Sequence, residues 1–259
     1  MSSYHFLSLS QLNGVWTIHL KRPEVYNALN AGLIHEIRDV AEKAKASESA
    51  RVLVITGEGK AFCSGADLKS GTSDSDLGAV LRSTYNPMIL ALRGLDKPVI
   101  GAINGPAAGA GCSLALACDY IIAKEGAYFA ELFVQIGLTL DAGSTAFLMQ
   151  SLGYHKAFEL AATAKKISAE EAKVWGLVAE VVSEENWENR VQAIGEEFAQ
   201  RPTLALALIK RELQRAHHQD LATVLEMEAE AQRQAGYSKD FQEGVSSFLE
   251  KRAPKFVGK

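Results

Sequence analysis

Asp141 is the single charged residue in the fifteen-residue run VQIGLTLDAGSTAFL, Val134–Leu148. A carboxylate there has two uses. It can cap the helix that the following residues spell, by accepting hydrogen bonds from its first free amides. It can also take and return a proton, because apolar surroundings disfavour its charged form and lift its proton affinity toward neutral pH. Both uses can coexist. Two further stretches share one design, a strand that runs into small residues and then a helix. VLVITGEGKAFCSGADL closes on Ser64-Gly65-Ala66-Asp67-Leu68, and KPVIGAINGPAAGAGCSLALACD carries Gly105, Gly109 and Gly111 ahead of an apolar helix. Small residues let backbone approach a ligand closely, and helix N-termini leave N–H groups unpaired with a partial positive charge. Two such ends facing one cavity would give two donors to one developing oxyanion, and losing one donor typically costs about 2.7–4 kcal/mol. The same glycines also serve close packing at strand–helix joints. Neither stretch is a phosphate-binding loop, since no Gly-Lys-Ser/Thr follows.

Other chemistries find little support. The three cysteines, Cys63, Cys112 and Cys118, have no CxxC spacing and no paired histidine ligands. They read as small apolar filler in a reducing compartment, with no metal site. The six histidines are dispersed apart from His217-His218 and read as surface or packing residues. A net charge of −4 gives no general attraction to nucleic acid or anionic membrane. No run approaches the roughly 20 apolar residues of a membrane span, and MSSYHFLSLSQLNG has no signal-peptide pattern. A cytoplasmic protein is expected.

These groups need a frame. VWTIHL (Val15–Leu20), RVLVIT (Arg51–Thr56) and KPVIGAIN (Lys97–Asn104) read as strands, with CDYIIA and AYFAEL as further short ones. Between the first two, AGLIHEIRDVAEKAKA has apolar residues at helical spacing behind Asn30 as N-cap. Strand–helix alternation of this kind predicts an α/β class. After about Ser183 only helices are expected, over Trp187–Gln200, Thr203–Ala216, Asp220–Ala235 and Phe241–Lys251. Ser70–Leu77 (SGTSDSDL) reads as a polar loop.

FCSGADLK, KPVIGAINGPAAGAGCSLALACDYIIA and IGLTLDAGSTAFL together resemble the crotonase, or enoyl-CoA hydratase/isomerase, superfamily. The resemblance runs from IHLKRPEVYNALN through ISAEEAKVWGLVAEVV to EGVSSFLEKRAPKF. It implies a spiral of ββα units over residues 1–200 and a helical oligomerisation region over 201–259. It also implies an acyl-CoA substrate, no separate cofactor, and a homotrimer or dimer of trimers. Carried over residue by residue, the two oxyanion-hole amides fall on Ser64 and Ala110. Ala28, Ala66, Asp67 and Leu68 match the region that holds CoA, and Lys251 matches a lysine that reaches CoA from a neighbouring subunit. Lys251 reads equally well as a solvated surface side chain.

Departures from the family pattern narrow the reaction. Ser113 and Phe133 stand where hydratases of the superfamily keep two glutamates, and neither exchanges a proton at neutral pH. Glu131, two residues before Phe133, differs in direction or depth and is a poor direct replacement. Asn86 and Phe133 stand where the aryl-CoA dehalogenases have histidine and tryptophan. Tyr85-Asn86-Pro87, Ala107–Gly111, the lone Asp141 and the tail EGVSSFLEKRAPKFVGK resemble the ring-1,2-epoxyphenylacetyl-CoA isomerases of phenylacetate breakdown. The expectation is an acyl-CoA isomerase with Asp141 as proton shuttle. Its rivals are a Δ3,Δ2-enoyl-CoA isomerase, a weak enoyl-CoA hydratase, or a non-catalytic acyl-CoA-binding protein.

Overall fold

A computed structural model describes residues 4–70 and 76–259. The chain opens on a hairpin of β1 (Leu7–Leu12) and β2 (Val15–Leu20). Its two-residue turn, Asn13-Gly14, has positive φ at both positions, 51° and 83°. That is the turn whose twist matches the strands and which Asn-Gly favours. Helix α1 (Ala31–Ala46) starts where the apolar periodicity does, and the Asn30 side chain accepts the Leu33 amide at 2.8 Å. Then come β3 (Val52–Gly57), α2 (Leu77–Ser83), α3 (Tyr85–Arg93), β4 (Val99–Ile103), β5 (Ala107–Ala108) and α4 (Ala110–Leu116). They are followed by β6 (Tyr120–Lys124), β7 (Tyr128–Ala130), α5 (Ser144–Thr163), β8 (Ile167–Ser168), α6 (Ala169–Val174) and β9 (Glu180–Val182). The chain ends on α7 (Trp187–Ala199), α8 (Thr203–Ala216), α9 (Leu221–Gly236) and α10 (Lys239–Glu250). Most of the expected loop Ser70–Leu77, namely residues 71–75, lies outside the described residues.

The larger sheet has the order β1-β2-β3-β4-β6-β9 and is parallel except at the hairpin. Strands β3 and β4 are buried almost throughout, which explains their unbroken apolar runs. Successive side chains of β3 serve opposite faces. Leu53 and Ile55 join the main core with α1 and α3, whereas Val52 and Val54 pack with Trp187 and Ile194 of α7. A second sheet, β5-β7-β8, is extended by isolated parallel bridges at Leu29–Ala66 and Cys63–Ala107. Each successive turn of chain thus lays one strand in the large sheet and one short segment beside the second. This is the expected spiral of ββα units, with helices alone after β9. Among the described residues, no helix is long and apolar enough to cross a membrane.

Candidate active site

The site begins where the first two turns of the spiral lock together. Tyr26 and Asn27 are both left-handed, with φ of 53° and 57°. Asn27 is fully buried. Its side-chain nitrogen donates to the carbonyls of Glu58 (2.9 Å) and Ala61 (2.8 Å), and its oxygen accepts the Arg22 amide (2.9 Å). This clamp presents the Tyr26 carbonyl to the Ser64 amide, which donates to it at 3.0 Å. The Ser64 amide is therefore consumed by the fold, and its expected role as an oxyanion donor is corrected. Two residues on, Leu29 donates to the Gly65 carbonyl at 2.7 Å and Asp67 donates to the Leu29 carbonyl at 2.9 Å. In extended chain, successive N–H groups alternate sides, so the Ala66 amide faces away from Leu29.

Arg22 completes the turn. Its guanidinium donates to the Ala28 carbonyl at 2.5 Å and pairs with Asp67 at 2.8 Å, holding that carboxyl below its ordinary range. Ala28, Ala66, Asp67 and Leu68 are thus brought together. The Asp67 carboxylate is already engaged, and Leu68 is 57% exposed beside it.

The third turn supplies Ala110. The Ala108 amide donates to the Cys63 carbonyl and the Gly109 amide to the Ala130 carbonyl, both at 2.9 Å. These bonds draw the start of α4 against the Cys63–Ala66 segment. Glycine is required at two contacts. A Cβ on Gly111 would sit 2.2 Å from the Cys63 carbonyl oxygen. A Cβ on Gly65, whose φ is +100°, would sit 2.8 Å from the Ala108 oxygen and 3.4 Å from the Ala110 nitrogen. Among the described residues, neither the Ala66 nor the Ala110 amide has an acceptor. Two free backbone donors on neighbouring turns are the raw material of an oxyanion hole.

Asp141 does not cap α5. The N-cap is Gly143, with no side-chain cap, and Asp141 contributes only its backbone carbonyl, to the Ser144 amide at 3.0 Å. Its Oδ1 is buried without a hydrogen-bond partner, and burial lifts its carboxyl from 3.8 to about 6. Tyr85, on α3, is 7% exposed. Burial raises its phenol strongly, and the negative fields of Asp141, Cys63 and Asp67 add to the effect. One phenol therefore feels both the acidic group and the turn carrying Ala66. In the sequence Tyr85 stands out only as an aromatic on the apolar face of a short helix, a pattern that signals packing and no chemistry.

Glu131, a poor direct replacement for a hydratase glutamate by its position in the chain, is joined to the Asp141 backbone through Ser144. β7 ends at Ala130, and Glu131 turns inward to 2% exposure. The Ser144 hydroxyl donates to its Oε1, its Oε2 is buried without a partner, and burial carries its carboxyl to about 7. Ser113 is fully buried, its hydroxyl turned back on the Gly109 carbonyl at 3.5 Å, and Phe133 packs in the main core. Neither offers an acid or base.

Lys251 sits at the C-cap of α10 with φ of 54°, its side chain exposed and its amide on the Phe248 and Ser247 carbonyls. The three thiols are free and buried, and burial pushes those of Cys63 and Cys118 to about 12. Among the described residues, no group of three or more His, Cys, Asp or Glu side chains is arranged to hold a metal ion.

The fold is a spiral of ββα turns in which two neighbouring turns bring together the Ala66 and Ala110 amides, neither of which has an acceptor among the described residues. The chain belongs to the enoyl-CoA hydratase/isomerase family, whose sequence model matches residues 10–259. Enzymes of this family act on CoA thioesters. The chain is 42% identical to a protein of Rhodobacter capsulatus described as "Probable enoyl-CoA hydratase", over 99% of this chain and all of that one. It is 39% identical to the 1,2-epoxyphenylacetyl-CoA isomerase of Escherichia coli, over 95% of this chain and 96% of the relative. The crystal structure of an enoyl-CoA hydratase from Bacillus anthracis superposes with a TM-score of 0.93 at 34% identity, covering 98% of this chain and all of that one.

Proposed function

We propose that the protein is an acyl-CoA isomerase in which the amides of Ala66 and Ala110 hold the thioester oxygen and Asp141 carries the proton. The observation that carries this reading is the Asp141 carboxyl itself, with one oxygen buried and unpartnered and its proton affinity close to neutral. Charge that develops on the thioester oxygen as a proton leaves carbon is met by two preorganised donors. Asp141, a carboxylate at pH 7, takes that proton and returns it at another position, a step such groups accelerate by about 10²–10⁴. A 3-enoyl-CoA would become its 2-enoyl isomer. For the epoxide of phenylacetyl-CoA the product would be the seven-membered oxepin thioester. The second is the preferred reading, because a relative named for that isomerisation is 39% identical.

Hydration is the other reading with support, since the more similar relative carries a hydratase description. Against it stand Ser113 and Phe133, which cannot activate water. CoA enters as part of the substrate, along Ala28 and Ala66–Leu68, and no separate cofactor takes part. Residues 201–259 would form the oligomerisation region of a homotrimer or dimer of trimers, with Lys251 reaching CoA across an interface. Support for that division comes from the apolar side chains that α10 leaves in solvent, Phe241, Val245, Phe248 and Leu249.

The test is turnover of a panel containing 1,2-epoxyphenylacetyl-CoA, a 3-enoyl-CoA and a 2-enoyl-CoA, followed by mass spectrometry and chromatography. Isomerisation of the epoxide at unchanged mass is expected. A product heavier by one water from the 2-enoyl-CoA, with the other two untouched, would favour the hydratase. No change in any of them would leave a binding protein.

A further inference from the structure

Glu131 is the group the proposed chemistry leaves unexplained. A carboxyl with 2% exposure and a buried oxygen without a partner is costly unless it stays neutral. Its surroundings come from three elements. Ser144, at the start of α5 and fully buried, gives its hydroxyl to Glu131 Oε1 and its amide to the Asp141 carbonyl, so one residue ties the two acids. Cys112 of α4, two residues after Ala110, sets its thiol beside Glu131. Lys165 and Glu131 line one small cavity of about 10 Å³ with Phe129, Leu148 and Leu160, room for about one water molecule. Lys165 is already paired with Glu171 at 3.4 Å. Asp141, Cys112 and Lys165 are the titratable groups that face Glu131, and the cation among them is spoken for.

We propose that Glu131 is a second carboxyl of the acid–base site, a positioning residue that keeps its proton while Asp141 works as a carboxylate. The wall of the site then carries one negative charge and not two. This rests on the isomerase reading of Asp141. A second charge joined to Asp141 through Ser144 would oppose negative charge developing beside Asp141, because in apolar surroundings like charges repel strongly. Burial first, and the Asp141 charge last among the causes, hold the Glu131 proton to about pH 7, while the Ser144 hydroxyl acts in the opposite sense. The two acids titrate as a coupled pair. As pH rises through about 6 the pair gains its base, and as it rises through about 7 Glu131 ionises and activity falls.

The experiment follows kcat/KM against pH for the thioester that the wild type isomerises, in the wild type, Glu131→Gln and Ser144→Ala. Infrared difference titrations of the substrate-free proteins run beside it. In the wild type an acid limb and an alkaline limb are expected, with about a tenfold fall per pH unit above the second. Glu131→Gln should lose the alkaline limb. Ser144→Ala, without the hydroxyl that favours the ionised form, should move that limb to higher pH. Above about pH 5, past the ordinary carboxylate range, the infrared spectra should show two carboxyl ionisations in the wild type and only the lower one in Glu131→Gln. Survival of the alkaline limb, or of both ionisations, in Glu131→Gln overturns the proposal. If the wild type isomerises no thioester, the reading of Asp141 falls, and the infrared titration by itself decides whether Glu131 holds a proton.

Discussion

At the scale of single residues, position decides which of several plausible groups does chemistry. Ser64 and Ala66 are two residues apart in one small-residue turn, yet the Ser64 amide is spent on Tyr26, whereas the Ala66 amide has no acceptor among the described residues. The difference depends on the left-handed Tyr26-Asn27 pair and the Leu29–Ala66 bridge, contacts some forty residues apart in the chain. Sequence could find the turn but not the free amide within it. Asp141 was legible as an odd charge in an apolar run, and the structure removes its rival role as a cap. Glu131 was legible only as a misplaced glutamate, because its burial follows from β7 stopping one residue earlier. Gly65 makes the sharpest single-residue test of the paired amides. Gly65→Ala forces a Cβ to 2.8 Å from the Ala108 oxygen at a φ of +100°, so the Ala66–Ala110 geometry must open. Turnover is expected to fall about 10²–10³-fold, comparable to losing one donor. Unchanged steady-state kinetics in this variant would mean that the two amides do not act together.

At the scale of elements, strands and helices are more legible in the sequence than the loops between them. β2 runs over the very residues VWTIHL, and α1 begins at the Asn30 cap as its periodicity required. The helices after Ser183 start and stop within about two residues of their expected limits. Buried parallel strands and amphipathic helices announce themselves through strong local patterns. β1 did not, since LSLSQL leaves its outer half exposed, although the Asn13-Gly14 turn beside it was a usable hairpin signal. The short segments of the second sheet are only two or three residues long and exist because successive turns stack. Beside those same segments lie Cys63–Ala66, Ala110 and Glu131. The site is thus made of the structure least visible in the sequence, while the well-read elements hold it in place.

At the scale of the whole molecule, one chain leaves much apolar surface in solvent, and on α10 Phe248 is 82% and Leu249 is 74% exposed. The proposed trimer or dimer of trimers would cover this face. Sedimentation equilibrium should give a trimer or a multiple of it, and Phe248→Glu should shift the mass toward the monomer. A monomeric wild type with full activity would remove both the assembly and the role of Lys251 across it. Independently of assembly and of the particular thioester, the proposed mechanism has Asp141 exchange a proton with carbon while Ala66 and Ala110 hold the thioester oxygen. Wash-in of deuterium from D2O at the carbon next to the thioester of phenylacetyl-CoA, which has no double bond or epoxide to rearrange, measures that step directly by mass spectrometry. The wild type should exchange, and a folded, thioester-binding Asp141→Asn variant should exchange at least about 100-fold more slowly. Equal exchange in the two proteins would remove Asp141 from the proton transfer.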